Sequence, residues 1–228
     1  MWVPLRSTRK LGGAVCVLLG VQIVFLGVNV IAHLHRITVI DDIAPSGSVP
    51  HDRFWTADAF AGAAELGVVL LVLGCGVVWL VWQHRAQTNA RALTAGGTRF
   101  TPGWAVGWWF IPLANLVMPS LAMRELWRAS IGGPDWRDQR VPVRAGVWWA
   151  CWLVFEVLGF GQSGGRQTYA AIRRGDFVSV VSTIFGIGAA SLAIWLVRDI
   201  VSRQETETAT NVLPVPPPPN VTPPPPIL

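Results

Sequence analysis

Glu156 is the one carboxylate set well inside an apolar run of this sequence, with Val154, Phe155, Val157 and Leu158 around it. A charged, unpaired carboxylate in hydrocarbon is costly, so the group must be protonated, paired or turned toward water. Two roles fit: proton or cation handling, or a neutral acid donating a structural hydrogen bond. Glu156→Gln separates them, because the amide keeps the hydrogen bonding and abolishes titration. Trp148 and Trp152 precede Glu156 at steps of four, which places the acid on one helical stripe with two indoles.

The other groups with metal or nucleophile chemistry are dispersed. His33 and His35 close the first apolar run, followed by Asp41, Asp42, His51 and Asp52, a spacing that matches no metal pattern. Cys16, Cys75 and Cys151 lie inside apolar runs and form no CxxC pair, so they read as small core residues. No GxSxG, HExxH or paired intramembrane acids occur, and Ser179, Ser182, Thr183 and Ser191 read as helix-packing residues. The expectation is therefore no catalytic residue, no metal and no cofactor.

The elements that would position these residues are membrane helices. The chain is 52% hydrophobic and only 14% charged, against about 25% charged in soluble domains. Its net charge of +5 comes from basic residues between apolar runs, which argues for membrane orientation and against nucleic acid. Four segments, 11–32, 64–82, 145–161 and 177–197, are long enough to cross a core about 30 Å thick. A fifth, 104–123, carries Pro112, Asn115 and Pro119 and is a poor straight span.

If that fifth segment enters and leaves on one side, most Lys and Arg fall on the side of the termini, leaving Arg36, Arg53, Arg166, Arg173 and Arg174 opposite. The sequence thus predicts an all-α integral membrane protein. It has about four transmembrane helices plus a Pro-broken re-entrant or interfacial hairpin, with both termini cytoplasmic in a bacterial plasma membrane. The membrane domain is 1–203; 204–228, ending in a proline-rich run, is expected to be a disordered cytoplasmic tail. The connection 37–63 is expected as an external loop.

Pro112 and Pro119 free upstream carbonyls, so donors must stand nearby, and Arg85, Asn89 and Asn115 are the candidates. Residues 120–130 form an amphipathic helix with Trp127 and the pair Arg124 and Arg128 suited to headgroups, and Glu125 placed to pair with Arg128. Gly13, Gly20 and Gly27, and again Gly67 and Gly74, repeat every seven residues. They form small-residue grooves for packing within the chain or for a homo-oligomer seam.

The words WLVWQHRAQTNARAL (79–93), FTPGWAVGWWFIPLANLVMPSLAMRELWRAS (100–130) and the Trp148, Trp149 and Trp152 cluster resemble the domain-of-unknown-function family numbered 4328. The resemblance implies a small multi-pass membrane protein and no assigned activity. Arg85, Asn89, Pro102, Gly103, Trp104, Gly107, Pro112, Asn115, Pro119 and Trp127 carry over as signature positions. The leading expectation is a non-enzymatic accessory or scaffold subunit in the lipid bilayer, meeting a cytoplasmic protein partner through tail or hairpin. The alternative is a small channel or proton-coupled transporter using the hairpin and Glu156.

Overall fold

The computed structural model describes residues 5–43, 51–160 and 168–212, and among these the chain is helical with no strand. Its elements are α1 (Arg9–Ile43), α2 (His51–Leu93), the short α3 (Pro102–Gly107) and α4 (Met118–Ala129), α5 (Val143–Phe160) and α6 (Tyr169–Val212). The apolar runs form single uninterrupted helices because hydrocarbon offers the backbone no other partner. Three stretches, Arg9–Asp42, Asp52–Leu93 and Tyr169–Glu207, are long and apolar enough to cross a membrane. Helix α5, with 18 residues, is about 27 Å long.

The connection expected as a loop over 37–63 is instead mostly helix, since α1 runs to Ile43 and α2 begins at His51. Ion pairs hold these extensions: Arg36 Nη1 to Asp58 Oδ1 at 2.6 Å, and Arg173 Nε to Asp41 Oδ1 at 2.7 Å. Helix α6 likewise continues past the expected boundary at 203. Gln204, only 1% exposed, donates to Ala86 O at 2.9 Å and to Ser130 Oγ at 3.1 Å, so 204–212 are helical and docked at their start. The proline-rich 213–228 lie outside the described residues.

Helix α1 packs along both α2 and α6, and α5 packs along α6. The outer members of this row, α2 and α5, meet through the stacked rings of Trp79 and Trp148, 5.8 Å apart. One end of the bundle gathers the N-terminal segment and the ends of α2 and α6. There Asn89 accepts from Arg6 N at 3.1 Å, donates to Arg6 O at 2.7 Å and donates to Gln204 Oε1 at 3.2 Å.

The chain between α2 and α5 stays at this hairpin end. It leaves α2 beside Gln87, which donates to Phe100 O at 3.1 Å, and re-enters at Arg144, whose guanidinium lies 4.1 Å over the Trp195 ring. Two prolines break it into α3, two single 3₁₀ turns (Trp108–Phe110 and Ala114–Leu116) and α4. Phe110 and Leu113 at its tip are 71% and 82% exposed.

On α1, Val17, Val24 and Ile31 face outward, and on α2 so do Leu66, Leu70, Leu73 and Val77. Gly13, Gly20 and Gly27 share the unpacked side: a Cβ at any of them meets no atom within 4 Å. The expected groove for a helix of the same chain is therefore not used there. Gly67 and Gly186 do serve close packing, with a Cβ meeting Phe25 at 3.0 Å and Phe155 at 2.8 Å respectively.

Candidate functional site

Asn29, His33 and Arg36 fall at steps of four and three on α1, which puts them on one face. That face is turned inward, and the three are 2%, 4% and 8% exposed. Opposite them α6 supplies Asp176, whose side chain is fully buried. Arg36 grips it with two donors, Nε to Oδ2 at 3.0 Å and Nη2 to Oδ1, and gives Nη1 to Asp58. A bidentate guanidinium–carboxylate pair is among the stronger polar contacts available in a buried site.

His33 Nδ1 lies 2.9 Å from Asp176 Oδ1. An ionised carboxylate only accepts, so this nitrogen carries the proton and donates it. Nε2 is buried without a hydrogen-bond partner among the described residues and stands 3.6 Å from Glu65 Oε2. Glu65 Oε2 in turn accepts from Asn29 Nδ2 at 3.0 Å, and Asn29 Oδ1 accepts from Thr183 Oγ1 at 3.0 Å. A continuous polar chain therefore ties α1, α2 and α6 together at the end opposite the hairpin.

This chain forms one wall of a cavity of about 700 Å³ between α2 and α5. Glu156 and Gly159 of α5, with Ser179 and Ser182 of α6, form the other. Glu156 makes no hydrogen bond or ion pair among the described residues. The guanidinium at the cavity wall is engaged by Asp176 and Asp58; on a wall that is otherwise largely apolar, the remaining polar groups include the Glu65 and Glu156 carboxylates and the Ser179 and Ser182 hydroxyls. Among the described residues no three His, Cys, Asp or Glu side chains stand together closely enough to hold a metal ion. Dispersed acceptors suit an ammonium group, which hydrogen-bonds at longer range than a metal ligates.

A second chamber of about 350 Å³ adjoins the first, sharing Val72, Leu73 and Phe155 with it. It is lined by Trp79, Trp109, Trp148 and Trp152 and floored by the hairpin through Trp109 and Phe110. The stripe of Trp148, Trp152 and Glu156 read from the sequence thus faces one cleft, with the acid in its polar half and the indoles in its apolar half.

Of the residues singled out in the sequence, Glu156 and His33 line the polar cavity; His35 faces outward. The signature positions gather at the hairpin end. Arg85 Nη1 donates to Ser7 O at 3.4 Å, and Asn89 holds the N-terminal segment. Pro102 starts α3 behind the Thr101 cap. Gly103 lies in open space, Gly107 lies under the Trp104 ring, and Trp104 packs on Trp108 at 5.0 Å. Pro112 ends the first 3₁₀ turn, and Asn115 N donates to Ile111 O at 2.7 Å. Pro119, buried, opens α4.

Trp127 is not at a lipid surface. It is 4% exposed, donates to Asp199 and lies under the Arg203 guanidinium at 3.8 Å. Glu125 does not pair with Arg128 but accepts the backbone N–H groups of Arg99 and Phe100 at 3.0 and 2.9 Å, fixing the hairpin's entry.

Nor do Arg85, Asn89 and Asn115 supply the hairpin's donors. Gln83, Gln87 and Trp149 do so. Gln83 Nε2 donates to Ala105 O at 3.2 Å while its Oε1 accepts the indole N–H of Trp79 at 3.1 Å and of Trp109 at 2.9 Å. Trp149 Nε1 donates to Leu116 O at 3.0 Å. Gln83→Leu strands two indole N–H groups and a carbonyl, and at roughly 1 kcal/mol or more each it is expected to cost about 2–4 kcal/mol. Hydrogen exchange over 101–110 should accelerate selectively; unchanged protection there would contradict the role assigned to Gln83.

A family model described as "Domain of unknown function (DUF4328)" matches residues 46–202. The match covers α2 through most of α6 and includes Glu65, Glu156 and Asp176, with α1 outside it. Neither the curated proteins nor the solved structures contain a match to the chain.

Proposed function

The chain belongs to this family, DUF4328, and from that premise we propose that it is a non-enzymatic membrane protein that binds an ammonium-type cation between α2 and α5. The observation that carries the reading is the cavity wall on which the Glu65 and Glu156 carboxylates line one space beside His33. Among the described residues, the acids Asp58, Glu65, Glu156 and Asp176 near the cavity outnumber the Arg36 guanidinium and the His33 imidazole, and carboxylates in a poorly polarisable setting attract an incoming cation.

In this reading α5 is a fourth span of a bacterial plasma membrane. The hairpin end carries Arg85, Arg91, Arg99, Arg124, Arg128 and Arg140 and faces the cytoplasm with both termini. The cavity then opens toward the outer face while the hairpin closes the cleft below it, an arrangement suited to receiving a cation from outside. This is closer to the channel or proton-coupled transporter alternative than to the scaffold reading, whose main support, the proline-rich tail, lies outside the described residues.

The test places Ser179→Cys in a chain whose three native cysteines are alanine. A trimethylammonium methanethiosulfonate applied to intact cells is expected to label it roughly tenfold faster than the sulfonate analogue, and tetramethylammonium should slow the reaction. Equal rates for the two reagents, or no labelling from outside, would contradict the proposal.

A further inference from the structure

The polar cavity is only half of the cleft. Val72, Leu73 and Phe155 border both it and the tryptophan-lined chamber, so the two spaces adjoin along α2 and α5. From Glu65 to Trp79 the cleft follows α2 for 14 residues, about 21 Å of helix rise. That exceeds one leaflet's share of a core about 30 Å thick. The cleft also opens sideways: Leu73, on the border of both chambers, is 64% exposed, and Val69 at the polar cavity is 45% exposed.

We infer that the cleft binds a single-chain cationic amphiphile, its ammonium head among Glu65, Glu156 and His33 and its hydrocarbon tail against Trp109, Trp148 and Trp152. The inference rests on the cation-binding reading and adds the tail. Charge selects the head. Arg36 is engaged by Asp176 and Asp58, so among the described residues the cavity lining provides no free guanidinium for a phosphate, and an amine is favoured over a zwitterionic phospholipid. The lower chamber, about 350 Å³, is at the small end of ligand pockets and accommodates one chain. The lateral opening lets the ligand enter from the bilayer with its head at the level of the outer surface, the orientation it already has in a leaflet.

The indoles that would meet the tail report on its arrival. The full chain in phosphatidylcholine nanodiscs is titrated with an alkyltrimethylammonium brominated near its chain end, and separately with brominated phosphatidylcholine and a brominated fatty acid. Contact quenching of tryptophan by bromine is the readout, and tetramethylammonium is measured alongside.

The expected result is saturable quenching by the cationic amphiphile at a bilayer fraction at least tenfold below that of the other two lipids. The preference should disappear in Glu65→Gln/Glu156→Gln, and Trp152→Phe should reduce the quenching amplitude. Equal quenching by all three lipids overturns the inference, as does tetramethylammonium binding as tightly as the long-chain probe; in that second case the cation-binding reading stands. If neither cation binds, that reading fails as well.

Discussion

Asp176→Ala is expected to destabilise the protein by about 3–5 kcal/mol, the range for removing one partner of a buried ion pair. The carboxylate is completely buried and accepts from Arg36 and His33 together. Without it the guanidinium retains only Asp58, which is 39% exposed, and His33 loses the acceptor that fixes its ring. The companion variant Arg36→Met/Asp176→Leu should recover most of the loss, because an apolar pair of similar volume avoids the desolvation of both charges. Unfolding titrations in mixed micelles measure both. A neutral Asp176→Ala would mean that the pair is not the buried unit described, and a double variant no better than the single would mean that packing, not charge, is what is lost.

The membrane class, the long helices and the one-sided hairpin were legible because a run of apolar residues broken by prolines has few alternatives in hydrocarbon. The cleft was half legible. Glu156 stood out by being a carboxylate within an apolar run, but Glu65, Asp58 and Asp176 sit at the margins of such runs, where a charged residue is normally solvated.

What changed their meaning is that α1 and α2 extend beyond the apolar segments, carrying Arg36 and Asp58 into helix–helix contact rather than into a loop. Within α1, the spacing of Asn29, His33 and Arg36 did hold the signal: three polar groups on one face of an otherwise apolar helix have to find partners. Their partners lie on helices far away in sequence, and no spacing rule reaches that far.

At the hairpin end, Arg85 and Asn89 were visible as candidate donors, but the stripe of Trp79, Gln83 and Gln87 supports the hairpin. Gln83 and Gln87 are both fully buried. Uncharged amides in a helix carry a weaker signal than arginine, yet an amide offers both a donor and an acceptor. That is what a broken backbone beside an indole cluster needs. The signature residues thus shape and anchor the hairpin, while the proposed cation site lies at the opposite end on residues outside the signature.

The second large effect expected is on binding. Glu65→Gln/Glu156→Gln keeps side-chain volume and hydrogen bonding while removing both carboxylates from the cavity. A cation held a few ångströms from each loses on the order of 1 kcal/mol per charge even where water screens well, so affinity should fall roughly 30-fold. The Arg36–Asp176 pair is untouched and the amide oxygen left by Glu65→Gln can still accept from Asn29 Nδ2, so the fold is expected to be retained, and thermal stability measured without ligand separates loss of binding from loss of fold.

Equilibrium titration of the purified full chain with tetramethylammonium, wild type against this double variant, is accordingly the most direct measurement. The account predicts saturable binding to the wild type that is weakened at least tenfold in a variant of unchanged stability. Binding of equal strength in both, or none to the wild type, would contradict the claim that the carboxylate cavity is the working site.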